Sequence, residues 1–90
     1  MVTITRTKDP VAKLDYGWDW EDWLAGDTID TSTWTVPTTL VKESDSKTNT
    51  TTTVWISGGT LGESYTVTNQ IVTVAGRVDQ RSFVLKIVDY

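Results

Sequence analysis

Asp15, Asp19, Glu21 and Asp22 lie within one short stretch, DYGWDWEDWL, with Trp18, Trp20 and Trp23 set among them. Carboxylates this close to indole rings are compatible with three chemistries. Together with Asp27 and Asp30 they could form an oxygen cage for calcium. That ion takes about six to eight oxygens, and helix-loop cages place them at alternate positions around a glycine; here the spacing does not fit and the glycine is misplaced. Two carboxyls about 5–9.5 Å apart across a cleft could hydrolyse a glycoside, but a domain this small has little volume with which to wall a ligand cleft. Trp18 and Trp20 alternate onto one face of a strand, where such a pair could stack sugar rings. Against all three stands plain packing, with indoles turned inward and acids keeping the outer side wet.

The economy of the chain favours packing. Ninety residues make one domain that buries roughly 60–65% of the surface its unfolded form exposes, so its stability margin is thin. No cysteine is present, which excludes a disulfide framework and thiolate metal sites. An aromatic side chain buries about 150–250 Å², and the five tryptophans must therefore supply much of any core. Histidine is also absent, which removes Ser–His–Asp and Cys–His nucleophile systems and His-ligated zinc. No cofactor, metal or catalytic set is expected.

Charge and patterning exclude further classes. The net charge is −4, and the lysines and arginines are scattered, so nucleic acid is not an expected partner. No segment approaches the roughly 18 apolar residues of a membrane span. The opening MVTITRTKDPVAK lacks the apolar run of a secretion signal, which predicts a soluble chain made in the cytoplasm. Without secretion, the glycosylation pattern Asn49-Thr50-Thr51 carries no meaning.

The elements that must position these residues read as strands. Threonine and valine, stiff at χ1 and suited to a pleated surface, dominate. Trp34 and Val36 alternate with Thr33 and Thr35, and Val54 and Ile56 face away from Trp55. Tyr65, Val67 and Asn69 alternate with threonines, and a shift near residues 70–72 reads as a bulge. A turn at Ala75-Gly76-Arg77 leads into a last strand lined by Phe83, Leu85 and Ile87, with Val84 and Val88 opposite, as if covered on both sides. Further segments at residues 11–14, 16–20 and 40–43 complete an all-β, immunoglobulin-like sandwich of about seven antiparallel strands. EDWLAGD is expected to be one helical turn or a tight loop, and SDSKTNT a polar turn or exposed loop. Tyr65, just after Leu61 and Gly62, matches a tyrosine corner, whose hydroxyl bonds upstream backbone. Trp18, Trp20, Trp23, Trp34, Trp55 and Tyr65 are thus the core or interface candidates. With no active site in view, an interaction or structural module is favoured, since open strand edges recruit neighbours.

One resemblance adds to this reading. Lys8-Asp9-Pro10, Leu14-Asp15-Tyr16, Asp19-Trp20 with Trp23-Leu24, Gly58-Gly59 with Gly62 and Tyr65, and Gly76-Arg77 before Arg81-Ser82 together resemble the phage fibre–tail adaptor proteins, small immunoglobulin-like proteins of tailed bacteriophages. The resemblance spans residues 8–87. It implies a non-enzymatic virion protein, made in the host cytoplasm, that joins fibre or neck components to the tail in several copies, as a ring. Small phage sandwiches also act as capsid decoration (cement) proteins on the major capsid protein, which is the first alternative; a carbohydrate-binding module using Trp18, Trp20 and Trp23 is the second. Residues 1–9 are expected to be an assembly arm or a first edge strand, with Thr3, Ile4, Thr5 and Arg6 as contact candidates, and residues 10–90 the domain.

Overall fold

Strand pairing follows the apolar alternation. The computed structural model describes residues 4–89, with β1 (Ile4–Lys8), β2 (Leu14–Asp19), the single turn α1 (Glu21–Leu24), β3 (Ile29–Thr35), β4 (Leu40–Lys47), β5 (Thr51–Gly58), β6 (Ser64–Thr73) and β7 (Val78–Ile87). They form two packed sheets, one of order β1-β7-β6-β3 and one of order β2-β5-β4. The β2-β5-β4 and β7-β6-β3 orders are those of an immunoglobulin constant domain. Only β1 has moved, from beside β2 to beside β7.

That move corrects the expectation that every strand is antiparallel. β1 runs parallel to β7, with Ile4 opposite Phe83 and Lys8 opposite Ile87; the other pairs are antiparallel. It also changes which segment is the first strand. Residues 11–13 form no strand; the chain turns at Pro10-Val11, closed by Ala12 N–H to Asp9 O at 3.0 Å and Val11 N–H to Asp9 Oδ1 at 2.9 Å. Pro10 lacks an N–H for a ladder, and Val11 is left 94% exposed. Residues 44–47 also differ from expectation. They extend β4 rather than forming a loop, because each finds a partner on β5.

The bulges lie elsewhere than expected. β6 alternates without a break, with Val67, Asn69, Ile71 and Thr73 all inward. The polar residues at 69 and 73 disguise this period. The irregularities sit at Asp30 in β3, the partner of β6, and at Glu43 in β4, the partner of β5. Likewise the outer face of β7 is not covered, and Val84 and Val88 are only half-buried.

One core cluster joins the sheets through Trp34, Leu40, Val54, Ile56, Val67, Phe83, Leu85 and Ile87. A smaller one gathers Trp20, Leu24, Ile29 and Ile71 at the α1 end. Gly17 permits the close approach of β2 to β5: a Cβ there would lie 2.4 Å from the Thr52 carbonyl oxygen.

Candidate protein interface

The stretch DYGWDWEDWL crosses two kinds of structure, and each turns its tryptophans differently. In β2 the two-residue period directs Tyr16 and Trp18 inward and Asp15 and Asp19 outward. Trp20 then enters α1 as its N-cap and is fully buried, while Trp23, one turn on, packs edge-on against it at 5.5 Å. The Trp20 Nε1–H is shared between Asn69 Oδ1 at 3.2 Å and Thr52 Oγ1 at 3.3 Å. Thr52 also donates to Asn69 Oδ1 at 2.7 Å, and Asn69 Nδ2 donates to Ser32 Oγ and Thr33 O. A buried polar peg therefore ties β5 to β6 and β3 across the two sheets, its members satisfied by one another.

Two arginines of β7 and its hairpin close over this cluster. Arg81 lies 4.1 Å above the Trp20 ring and 5.7 Å from that of Trp18, and donates to Asp19 O at 3.1 Å. Arg77 lies 4.0 Å above Trp23 and donates to Trp23 O at 2.9 Å and Leu24 O at 3.1 Å. It thereby bonds carbonyls at the end of α1, of which the Leu24 O also accepts the Asp27 N–H at 3.0 Å. It also pairs with Asp27 at 3.6 Å. The Asp27 carboxyl is held below its ordinary pKa, first by the Thr73 hydroxyl, then by the Thr28 and Ala75 amides and Arg77, against the opposing effect of burial.

Of the carboxylates of the stretch, Asp19 serves local structure. Asp19 Oδ1 accepts the Glu21 N–H at 3.0 Å. Among the described residues no three acids converge on one point. Trp20 has no exposed face for a sugar, and Trp18 and Trp23 have arginines against their rings. The three do not form a stacking platform.

The other candidates separate cleanly. Trp34 on β3 is buried edge-on against Phe83 at 6.5 Å. Tyr65 is the second residue of β6, and its hydroxyl accepts the Thr60 N–H at 3.1 Å, five residues upstream; hydrogen bonds from Thr60 hold the phenol below its usual pKa. Trp55 is 39% exposed and points away from the core. Of the N-terminal candidates, Ile4, Thr5 and Arg6 are exposed on β1, and Thr3 lies outside the described residues. Residues 5–7 of β1 and 14–17 of β2 line a cleft of about 500 Å³, which the Tyr16 hydroxyl spans by donating to Thr7 O at 3.1 Å.

Lys8, Asn69, Arg77 and Arg81 were not among the candidates, yet they fasten the architecture. Lys8 is fully buried, donating to Asp9 O and Gly58 O at 2.7 Å each; burial pushes its ammonium pKa down, with Asp9 partly opposing. The signals available for them were an amide set on an apolar face between Val67 and Ile71, and the presence of Lys8, Arg77 and Arg81 in the resemblance motifs.

What the chain offers is therefore surface: open strand edges and outer sheet faces around a locked core. Comparison with curated proteins returned no match. A family comparison did match: podophage GP4 fiber-tail adaptor protein gp77, over residues 8–86. The span takes in Lys8, the tryptophan stretch and both clamping arginines, and the chain belongs to this family of non-enzymatic virion structural proteins that link fibres to the tail.

Proposed function

We propose that the chain works as a repeated joint, present in several copies around the tail axis and meeting its neighbours through strand edges. Residues 1–9 serve as the arm of that contact. The observation that carries this reading is β1. It is an edge strand, laddered in parallel to β7 on one side only among the described residues, and its residues 4–7 are exposed. An edge strand of this kind presents a template for another chain, and repetition around a symmetric ring multiplies contacts that are individually weak. β4, one edge of the other sheet, carries Lys42, Asp45 and Lys47 at positions whose register points inward. Such charges discourage indiscriminate pairing there.

Copy number tests it. Quantitative mass spectrometry of purified virions should find on the order of 6 to 12 copies per particle, as a tail ring requires. Hundreds of copies would place the protein on the capsid shell as a decoration protein.

A further inference from the structure

Trp55 stands apart from the other tryptophans. Trp34 is buried, Trp20 and Trp23 each lie under an arginine about 4 Å away, and Trp18 shares Arg81. Among the described residues no cation covers Trp55, although it is 39% exposed. It sits on β5, the central strand of the β2-β5-β4 sheet, on the outer face. Asp15 is its cross-strand neighbour on β2 and Ser44 on β4. Directly opposed residues have Cβ atoms about 4.5–5.5 Å apart, so Asp15 flanks the indole. Glu43, extruded by the β4 bulge, is held beside the next outward position of β5 by a 2.6 Å hydrogen bond from Ser57 Oγ to its Oε2. Asp19 lies further along the same face of β2, and the register puts no Lys or Arg on that face.

We propose that this face is a docking site for a protein partner that presents an arginine, its guanidinium stacked on Trp55 and paired with Asp15 and Glu43. The proposal rests on the adaptor reading and names the face and the chemistry it leaves open. Indole faces attract cations through their quadrupole, most strongly when desolvated, and carboxylates take guanidinium groups in bidentate geometry. The chain already pairs arginine with tryptophan at its α1 end. On the outer face it supplies the tryptophan and the acids without the arginine, and the complement comes from outside. A sugar could also stack on an indole, but it gains no charge pairing from the acids beside it.

The test uses the full chain, labelled with nitrogen-15, and a short acetylated Gly-Arg-Gly amide beside its neutral citrulline counterpart. The arginine peptide should shift the Trp55 indole and the amides around Asp15 and Ser57, with affinity about fivefold above citrulline, the worth of an exposed cation–π contact. Trp55→Ala and the double change Asp15→Asn, Glu43→Gln should each abolish the preference, while circular dichroism shows an intact fold. Equal response to citrulline, response centred on Trp23, or response of the Trp55 indole to a neutral oligosaccharide instead would overturn the proposal. In virions, Trp55→Ala should reduce incorporation; normal copy number and infectivity would also sink it while leaving the adaptor reading intact. Absence of the wild-type chain from virions would strike the adaptor reading itself, whatever the peptides do.

Discussion

Trp20 and Trp34 are both buried, but their N–H groups meet different surroundings. Trp20 Nε1–H is bonded into the Asn69 peg, whereas Trp34 Nε1 has no hydrogen-bond partner among the described residues. A buried polar group left unpaired costs about 1–3 kcal/mol. Trp20→Phe removes a bonded donor, and Trp34→Phe removes an idle one. Denaturant unfolding should therefore show Trp20→Phe losing about 1–3 kcal/mol, with Trp34→Phe within about 1 kcal/mol of the parent. Trp20→Ala should lose about 3–5 kcal/mol, a large part of the 5–15 or so that such domains possess. Asp27 gives a pH signature. Its folded pKa lies below the ordinary carboxylate value, so its contribution is fully present above that ordinary value. It is lost as pH falls through the depressed one. Asp27→Asn should flatten the acid limb of a stability–pH profile and leave its slope near neutrality unchanged.

At the scale of elements, local rules and tertiary contacts share control. The period of β5 was readable because apolar residues alternate with threonine, and the inner face of β7 from Phe83, Leu85 and Ile87, whereas that of β6 was lost at Asn69 and Thr73, polar residues on its inner face. The turn at Gly76 was announced by its neighbours. The first strand was not readable in the same way. ITRTK carries one large apolar residue, and its place is set by Lys8, whose carbonyl accepts the Val88 N–H at 2.8 Å and whose ammonium reaches Gly58 O. Those contacts come from far along the chain, and no local pattern encodes them. The tryptophan stretch was half legible. Inward packing followed from period and economy, but the arginines that close it arrive from β7 and the turn before it, after more than fifty residues of chain. Two measurements belong here. Gly17→Ala brings a Cβ against backbone that cannot yield without parting β2 from β5. It should lower stability by about 1–3 kcal/mol, seen as an earlier denaturation midpoint. In native-state hydrogen exchange, amides of residues 4–6 should lose protection well before those of residues 67–71. Equal protection would rule out an exchangeable arm.

For the whole molecule, the family match and the sandwich agree on a virion structural protein that links fibres to the tail. The resemblance motifs fall largely on residues that fasten the fold: Lys8 under Gly58, Tyr65 on Thr60, Arg77 and Arg81 on the tryptophans. Such motifs identify the architecture; of the proposed docking residues they mark only Asp15, and Trp55, outward on β5, belongs neither to them nor to the core. Tryptophan fluorescence should report this division. Most of the emission should be blue-shifted and shielded from a soluble quencher, with one accessible component removed by Trp55→Ala.

The parallel seam between β1 and β7 has a mechanical consequence. Because both strands run the same way, residue 4 and residue 87 lie at opposite ends of the paired stretch, in a molecule about 41 Å long. Tension applied between them drags the two strands lengthwise past each other, loading all the rungs from Ile4–Phe83 to Lys8–Ile87 together rather than peeling them one at a time. Rupture under load is governed by the unfolding barrier. An optical-trap experiment should accordingly find a much higher breaking force along this axis than when the β6–β7 hairpin is pulled open from residues 64 and 86. A component strung between a fibre and a tail would be strongest along its own chain direction.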